Sequence, residues 1–240
     1  MKPIQFFGNL YLIPTTLGET SMEDVLPITV KRTIDFVWDY VVENEKTARK
    51  FIKQINPEKK QSEIRIEVLN KHDKNEDYAL FLKPCLEGRN LGLMSEAGCP
   101  GIADPGAAII KIAHEKGIKV IPLVGPSSIL LAMMSSGMNG QNFAFNGYLP
   151  IDKNDKKQTL KRFEKLSESQ NQSQIFIETP YRNNKFLEDL TLFLQSDTLL
   201  CVAADITLPT EYIKTFPVSI WKKQTIDLHN RPCIFIIHRK

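Results

Sequence analysis

This 240-residue chain has only four cysteines and four histidines, and neither set is spaced for redox or metal chemistry. Cys85, Cys99, Cys201 and Cys233 form no C-x-x-C pair, and no H-E-x-x-H pattern joins the histidines, so no metal site is expected. The G-x-G-x-x-G dinucleotide signature is absent. Gly101 and Gly106 have P-loop spacing, but Ala107 and Ala108 stand where Lys and Ser/Thr would hold phosphate and magnesium. Gly125-Pro126-Ser127-Ser128-Ile129 opens like a nucleophile elbow and ends on Ile instead of Gly. No apolar run is long enough to span a bilayer, and the N-terminus reads as carrying no signal peptide. A reduced, cytoplasmic setting away from membranes is therefore expected. An excess of one charge is missing too: 31 Lys and Arg stand against 28 Asp and Glu. The net charge of +3 permits nucleic-acid binding without arguing for it.

What is present is the stretch Leu91 to Gly106, LGLMSEAGCPGIADPG. A short apolar run stops in a loop with three glycines and two prolines, and Ala107 to Lys116 then reads as helix. A strand feeding a glycine-rich crossing before a helix brings backbone close to a small ligand. Between Leu91 and Ile110 only Glu96 and Asp104 are charged, so the expected ligand is neutral or cationic rather than a phosphate. Asp104 is expected to fix the turn by accepting from nearby amides. Cys99, with no basic neighbour, reads as a small apolar filler.

Strand and helix alternate along the chain. Strands are predicted at Asn9–Pro14, Asp35–Val42, Ile64–Leu69, Leu91–Ser95 and Ile118–Leu123, with helices at Glu45–Ile55 and Lys74–Leu86. Val124 to Ser128 marks the boundary of two halves, 1–123 and 124–240. In the second half Ser127 is expected to cap a helix at Ile129–Ser135. Strands follow at Phe143–Tyr148, Gln174–Glu178, Leu199–Ala204, Tyr212–Val218 and Cys233–His238, the last three ending in antiparallel pairing. Helices are predicted at about Lys157–Ser169 and Arg182–Gln195. Alternation of this kind implies an α/β fold. Two basic runs, Lys46 to Lys53 and Lys153 to Lys165, are interleaved with acids and read as solvated helix faces, with an RNA backbone as the other option.

Three segments together resemble the tetrapyrrole methylase family of S-adenosylmethionine-dependent methyltransferases. They are SEAGCPGIADPG (95–106), PLVGPSSILLAMMSSGM (122–138) with FAFNGYLP (143–150), and IFIETPYR (175–182). Within that family the match is nearest to the enzymes that 2′-O-methylate a cytidine ribose in small-subunit ribosomal RNA. The resemblance implies two α/β domains with mixed, largely parallel sheets, S-adenosylmethionine in the cleft between them, a homodimer, and ribosomal RNA as substrate. It places Pro14, Ser95, Glu96, Ala97, Gly98, Cys99, Gly101 and Ile102 at the cofactor, together with Ser127, Ser128, Tyr148 and Ile177. Gly98 and Gly101 are expected to let main chain approach the cofactor where a Cβ would collide. Substrate-side motifs depart from the family: Asn44 stands for a carboxylate, Lys46 for an arginine, and Ala204 to Glu211 lacks the usual Arg and His. Glu43, Lys46, Arg49, Glu178, Arg182 and Glu211 are the catalytic candidates. A tetrapyrrole-like acceptor and a non-catalytic cofactor-binding dimer are the alternative readings.

Overall fold

Short apolar runs bounded by turn residues become the strands of two separate sheets. The computed structural model describes residues 7–69 and 77–240, and the chain divides into two compact units, Met1–Pro126 and Ser127–Lys240. The first contains β1 (Leu10–Ile13), α1 (Met22–Val25), α2 (Ile28–Phe36), β2 (Asp39–Val42), α3 (Glu45–Ile55), β3 (Arg65–Val68), α4 (Lys83–Leu86), β4 (Leu91–Met94), α5 (Gly106–Glu115) and β5 (Val120–Pro122). Its strands lie in the order β3-β2-β4-β1-β5, every neighbouring pair parallel.

Both faces of that sheet are covered. Leu10, Val41, Leu91 and Leu93 pack with Ile109 and Ala113 of α5 and with Phe81, Leu82 and Cys85. Ile13, Tyr40, Val42 and Met94 pack with Val30 and Ile34 of α2 and with Ala48, Phe51 and Ile52 of α3. A Cβ on Gly92 would stand 2.8 Å from the Tyr40 ring and 2.9 Å from Ile13, so only glycine lets that ring lie over β4. The chain leaves β1 and β2 through helices on one face, and leaves β4 through α5 on the other. Neighbouring strands β1 and β4 thus send the chain in opposite directions, which opens a crevice at their carboxyl ends.

The expected strand Asp35–Val42 is corrected: α2 runs through Phe36 and β2 begins only at Asp39. Val30, Ile34 and Val37 are buried at helical spacing, whereas the aromatic and β-branched run from Phe36 hides the helix end. The helix expected at Lys74–Leu86 is also corrected over its described part. It is a 3-10 turn at Leu80–Leu82 followed by the four-residue α4, with Pro84 in the first turn of α4. Proline lacks the N–H that a continuous helix would need there. Residues 74–76 lie outside the described residues.

Asp39, at the amino end of β2, accepts from Arg65 Nε at 2.7 Å and Nη2 at 2.6 Å, and from Arg89 Nε at 3.2 Å. Burial pushes its carboxyl up, but the two guanidiniums outweigh that and hold it below the ordinary carboxylate value. A depressed carboxyl contributes stability above its unfolded value of about 3.9 and loses it as pH falls through the folded value. Asp39→Asn should therefore cost roughly 1–2 kcal/mol at neutral pH, at the low end because both arginines reach solvent. In thermal unfolding the gap to the unmodified protein should close as pH drops below about 4. A gap independent of pH would contradict this.

The second unit contains α6 (Ser128–Ser136), β6 (Phe143–Tyr148), α7 (Lys153–Gln170), β7 (Ser173–Ile177), α8 (Asn183–Phe193), β8 (Leu199–Ala204), β9 (Tyr212–Pro217), α9 (Val218–Trp221) and β10 (Cys233–His238). Its sheet order is β6-β7-β10-β8-β9. Only β6 and β7 run parallel, while β7–β10, β10–β8 and β8–β9 are antiparallel. The α/β class is as expected, and parallel strands dominate the first sheet alone. A seven-residue link joins β8 to β9, too short for a crossover helix, so those strands pair antiparallel. Leu160, Phe176, Phe186, Leu190, Val202, Trp221 and Phe235 form this unit's core. The helix expected from Lys157 starts earlier, because Asp152 accepts from the Asn154 and Asp155 amides at 2.8 and 3.0 Å and caps α7.

Candidate functional site

The loop after β4 is strapped to the carboxyl end of β1. Thr15 N–H donates to the Gly98 carbonyl at 3.0 Å, and Thr15 Oγ1 donates to the Ser95 carbonyl at 3.4 Å. Ser95 Oγ lies within donating distance of the Ala97 and Gly98 carbonyls, at 3.2 and 3.3 Å. Glu43, just past β2, accepts the Glu96 amide at 3.2 Å. Cys99 Sγ donates to the Pro126 carbonyl at 3.4 Å, which ties the loop to the segment after β5. Burial pushes the Cys99 thiol up, which favours the protonated form that donates this bond.

Asp104 holds the rest of the loop. Its Oδ1 accepts both the Gly101 and Gly106 amides at 2.8 Å, and its Oδ2 accepts Gly101 at 2.9 Å. The carboxylate that sequence reading gave to the turn is therefore spent on the turn. Gly98 and Gly101 have φ of +75° and +83°, values that favour glycine. A Cβ on Gly98 would meet Leu17 Cδ2 at 3.2 Å and the Pro126 carbonyl at 3.3 Å, and one on Gly101 would meet Ile110 Cδ1 at 2.7 Å. The physical reason for these glycines thus includes the protein's own packing, beyond the ligand clearance expected from sequence. Gly125 is required in the same way, since its Cβ would sit 2.3 Å from the Pro14 ring.

Pro14, Ser95, Glu96, Ala97, Gly98, Cys99, Gly101 and Ile102 are therefore gathered at the carboxyl ends of β1 and β4. This region offers carbonyl oxygens, the Glu96 carboxylate and no cation from Leu91 to Ile110. Ile102 leaves 55% of its surface exposed, an apolar contribution to this region. Such a donor set fits a cationic, phosphate-free ligand with an apolar or aromatic part, and S-adenosylmethionine has that chemistry.

The second unit places the remaining cofactor candidates as follows. Ser127 caps α6 by accepting the Leu130 amide at 3.4 Å, and Ser128 is the first helical residue. Tyr148 and Ile177 are register partners at the ends of β6 and β7. The register shifts between Phe145 and Tyr148, Gly147 has φ +63°, and Tyr148 is exposed.

The catalytic candidates separate into two kinds. Glu43 and the exposed Lys46 stand just past the carboxyl end of β2. Arg49 is committed elsewhere, donating to Glu45 at 2.8 Å, the Gln61 carbonyl at 2.7 Å and the Ile64 carbonyl at 3.4 Å. Glu178 and Arg182 pair with each other at 2.7 Å, and Glu178 also accepts the Thr179 amide at 2.7 Å. Glu211 accepts the Thr207 amide at 2.8 Å. Asn44, which replaces a family carboxylate, caps α3 through the Lys46 and Thr47 amides at 3.0 and 3.2 Å. Sequence reading missed Thr15 as the strap between β1 and the loop, because a threonine after a Pro carries no signal of a partner 80 residues away. Among the described residues no group of three or more His, Cys, Asp or Glu is placed to hold a metal. No described helix is long and apolar enough to cross a membrane.

No protein-family model matches the chain. Similar curated proteins include the ribosomal RNA small subunit methyltransferase I of Vibrio cholerae serotype O1, 27% identical over 232 residues. That match covers 95% of this chain and 76% of that protein. The protein of the same name from Synechocystis sp. is 30% identical over 202 residues, covering 83% of this chain and 67% of that protein. Among solved structures, the methyltransferase CobJ superposes with a TM-score of 0.65 over 97% of this chain and 94% of its own, at 16% identity. At that identity the likeness speaks for the fold.

Proposed function

We propose, from the premise that this chain belongs to the ribosomal RNA small subunit methyltransferase I family, that it methylates the 2′-hydroxyl of a cytidine ribose in small-subunit ribosomal RNA. The enzyme is an S-adenosylmethionine-dependent methyltransferase, as its motifs led one to expect. The observation that carries the donor side of the reading is the loop after β4, with two left-handed glycines and no cation from Leu91 to Ile110. When bound, S-adenosylmethionine supplies a methyl group made electrophilic by its sulfonium. The chain's part is to hold donor and acceptor in line, which provides much of the acceleration in such a displacement.

In this reading main chain from Ser95 to Ile102 and the Pro14 ring hold the donor, with Ser127, Ser128, Tyr148 and Ile177 as further contacts taken from the resemblance. A ribose hydroxyl must lose its proton as it is methylated, which calls for a nearby base or cation. Lys46 and Glu43, which also accepts the Glu96 amide, are the two candidates at the carboxyl edge of the first sheet. Arg49, Glu178 and Arg182 serve the fold through the bonds described above. A homodimer and a cytoplasmic location belong to the same proposal.

The test is methyl transfer from labelled S-adenosylmethionine to undermethylated small-subunit ribosomal RNA, run beside a tetrapyrrole macrocycle. Label in the RNA, suppressed by added salt, is the expected result. Label in the macrocycle alone would replace the acceptor and keep the donor. Cofactor binding without transfer to either would favour a protein that has lost catalysis.

A further inference from the structure

Interleaved acids make both basic runs read as ordinary solvated helix faces, but in one of them folding buries one acid and engages two flanking ones. On α7, Glu164 is buried, accepting the Gln195 amide at 2.8 Å and the Thr198 hydroxyl. Asp152 is used as the cap of the helix, and Glu168 pairs with Arg239 at 3.1 Å. Lys156 turns inward to Asp189 at 2.8 Å. What remains outward is a column of four lysines, Lys153, Lys157, Lys161 and Lys165, with Arg162 beside it, all exposed. None of the five is in an ion pair among the described residues. The exposed Asp155 is two positions from Lys153 and Lys157 and so lies off the lysine column, on the face that carries Arg162 two turns later. The run on α3 differs, since Arg49 pairs with Glu45 at 2.8 Å and Lys50 with Glu19 at 3.2 Å.

Like charges at i, i+4 spacing destabilise a helix by a few tenths of a kcal/mol per pair, and here the compensation among the described residues is limited to Lys157 over the Phe193 ring at 6.0 Å and Arg162 over the Phe163 ring at 4.8 Å, with no ion pair. We propose that this column is the surface on which the enzyme docks the sugar-phosphate backbone of its RNA substrate. The inference rests on RNA being the acceptor, as proposed above. From Lys153 to Lys165 the helix rises about 18 Å, which is alongside on the order of five phosphates of one strand at a spacing of ~3.4 Å. The contacts are to phosphate, so they position RNA without reading its sequence.

The experiment titrates an unmethylated small-subunit ribosomal RNA transcript against the enzyme and its K157Q/K161Q/K165Q variant across a salt series, read by fluorescence anisotropy. Glutamine is close to lysine in helix propensity, and circular dichroism checks that the variant keeps its helix content. The variant should bind RNA at least about tenfold more weakly at low salt, and its log–log salt slope should be shallower by about 2 to 3. KM for RNA should rise while kcat at saturating RNA and the affinity for S-adenosylmethionine stay unchanged. Equal affinity and slope in the two proteins, with RNA bound by both, would overturn the docking surface alone. Failure of the unmodified enzyme to bind RNA at any salt would overturn both this inference and the acceptor reading. Polyglutamate binding as tightly as RNA, and weakened equally in the variant, would assign the column to an acidic protein and overturn it as an RNA site.

Discussion

Gly101→Val should weaken S-adenosylmethionine binding by about a hundredfold or more, close to 2.8 kcal/mol at 1.4 kcal/mol per tenfold. The loss does not need contact between the new side chain and the cofactor. At φ +83° a β-branched residue is strained by roughly 1–3 kcal/mol. Its Cβ also falls 2.7 Å from Ile110 Cδ1. The loop can relieve both only by moving residue 101, whose amide is held by Asp104 at 2.8 Å. Asp104 also fixes Gly106 at the start of α5, so the displacement spreads to Cys99 and Ile102. Gly101→Ala should fall between, because the flexible end of Ile110 can give way for one methyl. Titration calorimetry measures both, with thermal unfolding showing that the variants stay folded. Unchanged affinity in the valine variant would mean that the donor is held elsewhere.

Lys156→Ala should cost the second unit about 3 kcal/mol, the range seen when one partner of a buried ion pair is removed. The side chains of Lys156 and Asp189 are 9% and 4% exposed and meet at 2.8 Å. Without Lys156, one Asp189 oxygen loses its donor. The other has Lys185 only at 3.6 Å, beyond hydrogen-bond reach. Charge from Lys185 softens the loss, which is why the expectation sits at the lower end. Lys156→Met combined with Asp189→Leu should recover most of it, since no charge is then left buried. Trp38 and Trp221 are the two tryptophans of the chain, and Trp221 lies in the core of the second unit. Urea unfolding in a Trp38→Phe background therefore reports on that unit alone. A double variant as unstable as the single one would contradict the mechanism.

Elements whose apolar run is closed by turn residues were legible in the chain itself. α3, β6, β8 and β10 start and end where the pattern predicts. α2 was not, because its signal lies in Val30, Ile34 and Val37 spread among polar residues, while Phe36 to Val42 looks like one strand. The early start of α7 was hidden for a related reason: the inward side of that helix includes Lys156 and Glu164, charged residues buried with partners 33 and 31 positions away. Hydropathy cannot assign such residues to a core face. The same concealment covered the lysine column, which becomes one-sided only once those charges turn inward. At the loop, chemistry was legible and cause was not. The lack of cations from Leu91 to Ile110 is a property of sequence, whereas the need for Gly101 depends on Ile110 packing back from α5.

Mapping the methylated nucleotide after one round of transfer tests the account most directly. A methyl group on a ribose 2′-oxygen removes the internal nucleophile that alkali needs to cleave RNA. A single label is expected, recovered from alkaline digests as an uncut dinucleotide whose 5′ residue is cytidine. Label released in mononucleotides, which places it on a base, would contradict it.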